Sequence, residues 1–350
     1  MIERVLPILP AREWLEAANA MFMPIEIAPR LRPRDWSFEP FLAHVEDVWL
    51  LLPEWIVVSD EGQLLIQGMH PSLDLRRGKS PYFELTDGKS ARVRYPRAEA
   101  RIDEPMILIG NRGGHWHWIT DYLPRMLAIG QHPELAGVPI VVGDDLSAVQ
   151  AESLAILGVS ADRVRRLSAG HRYLFRSVWI PSVLTDGLTP HPAAISWLRR
   201  TYRRAQADPA DARRLFVSRA DAKVRRLRNE AEVFSALRPL GFENVIASNL
   251  GFQAQVDLFA AAQAVVGPTG SGLSNTIFSR SNIAIVEIHN YASGADFIEH
   301  TAKALGQRYR RVSGATLAAG DTFAHDLDFT ADPDEVAAVT RVLLENASVK

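Results

Sequence analysis

The sequence contains no cysteine, which excludes disulfides, thiolate zinc sites, iron–sulfur clusters and thiol catalysis together and fits a reducing compartment. It also has almost no net charge, because 39 Lys and Arg stand against 41 Asp and Glu. A general nucleic-acid binder needs a cation excess to displace counterions from phosphates, so that class is set aside. No targeting segment is expected: the N-terminus carries charges at Glu3, Arg4, Arg12, Glu13 and Glu16 and has no apolar core followed by a small-residue cleavage site. The longest uncharged run, Leu258 to Ser279, has membrane-spanning length but holds Gln263, Pro268, Asn275 and three glycines. It reads as helix, strand and loop in series, so no transmembrane helix is expected. The expected location is the cytoplasm, compatible with peripheral association at the inner face of a membrane. The G-x-G-x-x-G, Walker A and G-x-S-x-G patterns are all missing. No D-x-D pair sits in a suitable loop, since Asp144-Asp145 and Asp332/Asp334 read as helix starts, and no metal is expected.

What is present is an ordinary globular composition: 350 residues, 47% hydrophobic and 23% charged. That length favours two domains over one. The first hundred residues are punctuated by proline and carry short β-type runs such as Trp55 to Val58 and Gln63 to Gln67, which predicts an irregular leading region with small antiparallel pieces. From Met106 a strand, a Gly-rich turn at Gly110 to Gly114 and a helical stretch from Trp118 to Ile129 follow one another. A second unit has a strand at Val138 to Val142 and a helix, Leu146 to Leu157, closed by Gly158. Tyr173 to Ile180 then leads to a helix at Ala193 to Ala207, whose Arg199, Arg200, Arg203 and Arg204 read as a solvated face.

Beyond Asp208-Pro209-Ala210 the alternation is cleaner: strands at Arg214 to Ser218, Glu243 to Ala247, Ala264 to Val266 and Ile283 to Ile288, with helices at Glu230 to Leu240 and Phe252 to Ala262. Such alternation predicts βαβ units and a parallel sheet. An amphipathic C-terminal helix is expected over Asp332 to Ser348. The fold class is therefore α/β, with domains at 1–205 and 206–350 and the ligand at the carboxyl ends of the parallel strands, in a cleft.

Three stretches carry chemistry. Ser218 to Glu230 puts five cations on one strand-to-helix loop, where free backbone N–H groups, a helix dipole and guanidinium forks suit a diphosphate; a solvated basic loop is the alternative. Val265 to Asn275 is a buried strand running into a glycine loop that lets a ligand approach the backbone, or simply a tight structural turn. Gly110 to Arg125 contains His117 and Asp121, four apart and hence on one helical face, where either can take a proton from a hydroxyl. A zinc reading of His115 and His117 needs a further ligand that the sequence does not nominate. Trp116 and Trp118 fit core or cleft walls, and aromatic faces also suit sugar rings.

In this order and spacing the three stretches resemble glycosyltransferase family 61. The matching segments are His117 to Pro124, Ser218 to Glu230 and Gly267 to Asn275, supported by Gln255, Phe278 and the Val286-Glu287-Ile288 strand. The resemblance implies a GT-B-like architecture, two Rossmann-like α/β domains facing a cleft. It also implies an inverting transferase whose nucleotide-diphosphate sugar, expected to be UDP-linked, is held by the C-terminal domain. No other cofactor is expected. Thr269 stands where the family usually has His, which removes a cation that Arg219, Arg225 or Arg226 would have to replace.

The expected reaction moves a sugar from that donor to a hydroxyl of a glycan or lipid-linked glycan, as in bacterial surface polysaccharide synthesis. Asp121 or His117 is expected as the base. Arg219, Arg225, Arg226, Asn229, Glu230, Thr269, Gly270, Ser271, Gly272 and Asn275 are the expected donor-binding residues, with Arg219, Arg226, Gly270 and Gly272 lining one surface. Glu287 is expected either to accept from ribose hydroxyls or to be a surface strand-end carboxylate. Asn111, His115, Trp116 and Arg125 are expected on the acceptor side. The alternative function is a pseudoenzyme of the same fold that binds nucleotide sugar or glycan without turnover.

Overall fold

The computed structural model describes residues 1–25, 39–65, 81–86, 89–111, 114–204, 212–290, 296–317 and 326–345. Outside them lie the expected Asp208-Pro209-Ala210 seam, Arg112-Gly113 of the first glycine turn, the end of the Gln63 to Gln67 run and the last residues of both the Ala193 and the C-terminal helices. The chain is mixed α/β and divides into two compact units, Met1–Trp197 and Leu198–Lys350.

The first unit is built on a large mixed sheet. Its leading region is more regular than the proline punctuation predicts. The long strands Phe41–Leu51 and Arg172–Pro181 pair antiparallel over nearly their whole length, and Ile2–Leu9 pairs antiparallel with Ser90–Tyr95. Ala43, Val45, Val48 and Leu50 point into one core with Phe175, Val178 and Ile180. The shift from odd to even positions is made at Asp47, whose φ of 52° marks a local break in the pleat. Beyond Arg172–Pro181 the sheet continues parallel through Met106–Leu108, Ile140–Gly143 and Val164–Leu167. Met106–Leu108 thus has an earlier-ending neighbour on neither side: the chain runs outward from it through two strands, then returns to its other flank. Such a reversal leaves an opening at the carboxyl end of the strand.

The second unit is a three-layer sandwich. Its strands run in the order Phe242–Val245, Arg213–Val217, Ala262–Pro268, Ala284–Asn290, Arg308–Thr316 and Phe329–Thr330, the first five parallel and the last antiparallel. Alternation along each strand divides the core. Phe216, Val266 and Val286 pack on Val233 and Leu237 of the Glu230–Leu237 helix and on Val336 and Leu343 of the Pro333–Glu345 helix. Leu215, Val265 and Ile285 pack on Phe259 of the Phe252–Ala260 helix and on Ile298 and Ala302 of the Phe297–Ala304 helix. Gly241, with φ of 78°, supplies the left-handed residue that turns the chain into Phe242–Val245.

Arg199 corrects the expected solvated face of the Pro192–Tyr202 helix. Its guanidinium is half-buried, with Nε donating to Ile277 O at 2.6 Å and Nη2 to Ser279 O, so it clamps the carboxyl end of the Ser271–Phe278 helix. Burial lowers its pKa to about 10, with help from Arg203.

At the other end of the same helix His191 is 2% exposed, and its Nδ1 accepts from Ala193 N–H at 2.9 Å. Desolvation pushes the imidazole down from 6.5 to about 4. The unfolded chain therefore takes up this proton first as pH falls. Stability that is complete above pH 6.5 is lost progressively towards pH 4, by about 3 kcal/mol at the limit. Urea unfolding of the wild type and of His191→Gln at pH 7 and pH 4.5 measures this, and the variant should show the smaller loss between the two.

Candidate active site and donor loops

The first site lies on the segment that leaves the carboxyl end of Met106–Leu108. Asn111, 3% exposed, ties this segment down: its Oδ1 accepts from Gly143 N–H at 2.6 Å and its Nδ2 donates to Asp145 Oδ1 at 2.8 Å. Gly143 is required there, because a methyl group would lie 2.6 Å from Asn111 Oδ1. The helix that follows opens as His115–His117, widens to a π-turn over Trp118–Tyr122, with Leu123 N–H bonded to Trp118 O, and resumes as Arg125–Ile129. It is anchored by Trp118, whose Nε1 donates to Ser153 Oγ, and by Thr120 O, which accepts from Thr185 Oγ1. On this frame His117 Nδ1 meets Asp121 Oδ2 at 2.6 Å, and Thr120 Oγ1 donates to Asp121 Oδ1 at 2.9 Å.

Exposure separates the two roles that the spacing left open. The Asp121 carboxyl is fully buried, whereas the His117 ring is 26% exposed, with Trp116 edge-on at 4.9 Å. Asp121 fixes Nδ1 as the protonated nitrogen, so Nε2 is left as a lone-pair base facing outward. Arg125 is 2% exposed, lies over the Tyr122 ring at 5.2 Å, and burial lowers its pKa to about 10.

The second site is formed by two loops that leave adjacent parallel strands, Arg213–Val217 and Ala262–Pro268. These strands flank the point where strand order reverses, since Phe242–Val245 lies outside the first and Ala284–Asn290 outside the second. The first loop folds round the Arg219 side chain, whose Nη2 donates to Val224 O at 3.0 Å and Nε to Arg225 O at 3.4 Å. Nη1 is aimed at the second loop: a methyl at Gly270 would lie 2.0 Å from it. Burial lowers the Arg219 pKa against the pull of Asp221 and Glu230, so the group is a partly desolvated cation. Beside it the amides of Ser271 and Gly272 precede the first bond of the turn, Leu273 N–H to Gly270 O, and have no acceptor within that helix. A partly desolvated cation thus stands next to a turn whose first two amides have no acceptor within it, groups that suit an oxyanion.

The sequence model of the family described as glycosyltransferase 61 matches residues 115–286. The chain carries a glycosyltransferase 61 domain. The match begins at His115, spans both loops and ends beside Glu287, and the family implies glycosyl transfer with a sugar donor and an acceptor. No curated protein matches the chain. Among the described residues no helix is long and apolar enough to cross a membrane, and no group of three His, Asp or Glu side chains is placed to hold a metal.

Other expected donor residues of the family 61 domain have local partners. Arg226 is engaged by Asp328: its Nε and Nη2 both bond Asp328 Oδ2, at 3.0 and 2.8 Å. Arg225 takes a left-handed backbone (φ 54°), and its N–H donates to Asp326 O. Asn229 bonds the backbone of Ala331 in both directions, and Glu230 accepts from Ser218 Oγ and from Arg219 N–H at 2.9 Å, so both brace the basic loop. Asn275 donates to Gln255 Oε1 at 2.8 Å, which ties the glycine turn to the Phe252–Ala260 helix.

Glu287 corrects an expectation. It is neither at a strand end nor on the surface, but is wholly buried in the middle of Ala284–Asn290, opposite Gly267 and Arg311. Its Oε2 accepts from Tyr309 OH at 2.5 Å, and Arg311 Nε reaches the same hydroxyl at 3.1 Å. Burial raises the Glu287 pKa despite these partners. Tyr309 and Arg199 were not legible as site-bracing residues, because their partners Glu287 and Ile277 lie 22 and 78 residues away in sequence. Thr269 is fully buried, and its hydroxyl donates to Ile288 O at 3.4 Å.

The glycines of the loop give a paired prediction. At Gly270 a methyl meets the Arg219 side chain from Nη1 at 2.0 Å to Cδ at 3.0 Å, with no backbone atom as near, so it is this side chain that has to give way. Gly270→Ala should therefore keep the melting temperature while weakening nucleotide-diphosphate binding about tenfold, the worth of one charged hydrogen bond. At Gly267 a methyl lies 2.7 Å from Val217 O, a backbone atom of the neighbouring strand, so Gly267→Ala should cost about 1–3 kcal/mol of stability. Calorimetry and thermal melts on the two variants check the contrast.

Proposed function

We propose that the chain is an inverting glycosyltransferase that moves a sugar from a nucleotide-diphosphate sugar to a glycan hydroxyl, with a GT-B-like division of labour. Acceptor activation belongs to the first unit and donor binding to the second. The observation that carries this reading is the approach of Arg219 to Gly270, which sets a partly desolvated guanidinium beside amides with no acceptor in their own helix, at a strand-order reversal.

In the reaction His117 Nε2 takes the proton of the acceptor hydroxyl while Asp121 holds Nδ1–H and stabilises the imidazolium. The freed oxygen attacks the anomeric carbon from the face opposite the diphosphate, and the bond from that carbon to the phosphate oxygen breaks. The leaving charge is taken by Arg219 and the amides of Ser271 and Gly272. With Thr269 uncharged, Arg219 carries this duty. The intact His117–Asp121 pair favours turnover over a binding-only role. Synthesis of a bacterial surface polysaccharide, at the inner face of the membrane, is the setting we assign to it.

A thermal-shift panel of nucleoside diphosphates tests the donor site. A ligand at 100 times its Kd adds about 2.7 kcal/mol of stability, so a binding nucleotide should raise the melting temperature by several degrees. A panel without any shift in the wild type would remove the donor assignment.

A further inference from the structure

A third loop borders the two donor loops. Strands Arg213–Val217 and Phe242–Val245 end side by side, with Ser218 N–H bonded to Val245 O, so the turn Ala247–Asn249 that follows stands next to the basic loop. It also reaches the glycine turn, because a methyl at Gly272 would lie 3.8 Å from Ala247 Cβ. Gln255 locks these pieces together: its Nε2 donates to Leu250 O at 3.0 Å and its Oε1 accepts from Asn275 Nδ2 at 2.8 Å. Loops from three neighbouring strands thus meet at one end of the sheet.

Asp221, two residues beyond Arg219, bridges the first loop to the third. Its Oδ2 accepts from Ser248 Oγ at 2.5 Å, the side chain is exposed, and among the described residues Oδ1 has no hydrogen-bond partner. The other carboxylates nearby are taken up: Glu230 holds Ser218 Oγ and Arg219 N–H, and Glu287 is buried on Tyr309. An exposed carboxylate so close to Arg219 repels the diphosphate that this cation suits. The repulsion is offset where the same ligand brings hydroxyl donors to the carboxylate.

We propose that Asp221 is the ribose acceptor of the donor site, taking hydrogen bonds from the 2′- and 3′-hydroxyls of the nucleotide and selecting ribonucleotide over deoxyribonucleotide donors. This role rests on the nucleotide-sugar reading above. It is the one expected of Glu287, which its burial on Tyr309 leaves open. A nucleotide whose diphosphate lies on Arg219 and the Ser271 and Gly272 amides has its ribose one group away, and dinucleotide folds also bind ribose hydroxyls with an acidic side chain. Ser248 fixes the carboxylate in advance, so little freedom is lost on binding.

Titration calorimetry on the full-length protein with UDP, GDP, CDP and ADP, the 2′-deoxy form of the tightest of them, and inorganic pyrophosphate tests the proposal. The wild type should bind the ribonucleotide about tenfold more tightly than its deoxy form, the worth of one hydrogen bond to a charged group. Asp221→Ala should abolish that preference, while pyrophosphate binds as well as before or better, because a repelling charge is gone. Asp221→Asn, which keeps the shape and an acceptor for Ser248, should lose part of the preference at an unchanged melting temperature. Equal wild-type affinity for the two forms, a preference that survives in Asp221→Ala, or weaker pyrophosphate binding in that variant would each overturn the proposal. Nucleotide binding without a ribose preference removes Asp221 and leaves the donor site standing, whereas binding of no nucleotide and no pyrophosphate overturns both.

Discussion

Replacing His117 by Ala is expected to lower sugar transfer by about 10²–10⁴-fold, the usual worth of a positioned general base, while nucleotide affinity and melting temperature stay near wild type. The ring is partly exposed and its one fixed bond is to Asp121, so its loss opens little core. Asp121→Asn should lose on the order of 100-fold or more by a different route. An amide N–H facing Nδ1 favours the tautomer with the proton on Nε2, which then has no lone pair for the acceptor hydroxyl. Because Asp121 is fully buried and also accepts from Thr120 Oγ1, this variant should lose some stability too. Turnover, nucleotide affinity and melting temperature measured on both variants separate catalysis from support. A His117→Ala enzyme that turns over normally would take the pair out of the mechanism.

The second large effect is expected at Arg219. Arg219→Ala should weaken nucleotide-diphosphate binding by about 1.5–3 kcal/mol, the range for hydrogen bonds to charged groups, and lower turnover as well because the leaving charge loses its cation. Arg226→Ala should leave nucleotide affinity nearly unchanged and act instead on the Asp328 contact that ties the basic loop to the chain near Phe329–Thr330. Titration calorimetry with one nucleoside diphosphate on both variants decides it. A larger loss at Arg226 than at Arg219 would transfer the role.

The contrast between these two arginines shows where sequence reading stops. Both lie on one cationic loop, and charge density alone makes them equivalent. What distinguishes them is Asp328, 102 residues further on, which captures Arg226, and the missing Cβ of Gly270, which admits Arg219. Glu287 was misplaced for a similar reason: the strand expected to end at Ile288 continues to Asn290, and Tyr309 from the next strand covers the carboxylate. His117 and Asp121 were legible because a four-residue spacing needs only local geometry, and their pairing survives the π-turn between them.

The same division holds for the fold. The parallel strands of the second unit are buried on both faces, so Ala264 to Val266 and Ile283 to Val286 stand out as unbroken apolar runs between helices of about ten residues. The strands of the first hundred residues were not legible as one sheet. Phe41–Leu51 finds its partner, Arg172–Pro181, some 130 residues away, and the break at Asp47 interrupts the alternation that would announce a long strand.

The most direct test of the proposed reaction is product analysis with a panel of nucleotide-diphosphate sugars and glycan acceptors, following diphosphate release together with the anomeric configuration of the product. Release should match product one for one, the new linkage should be inverted relative to the donor, and His117→Ala should make neither. A retained configuration, or turnover that survives in His117→Ala, would contradict a single displacement with His117 as its base.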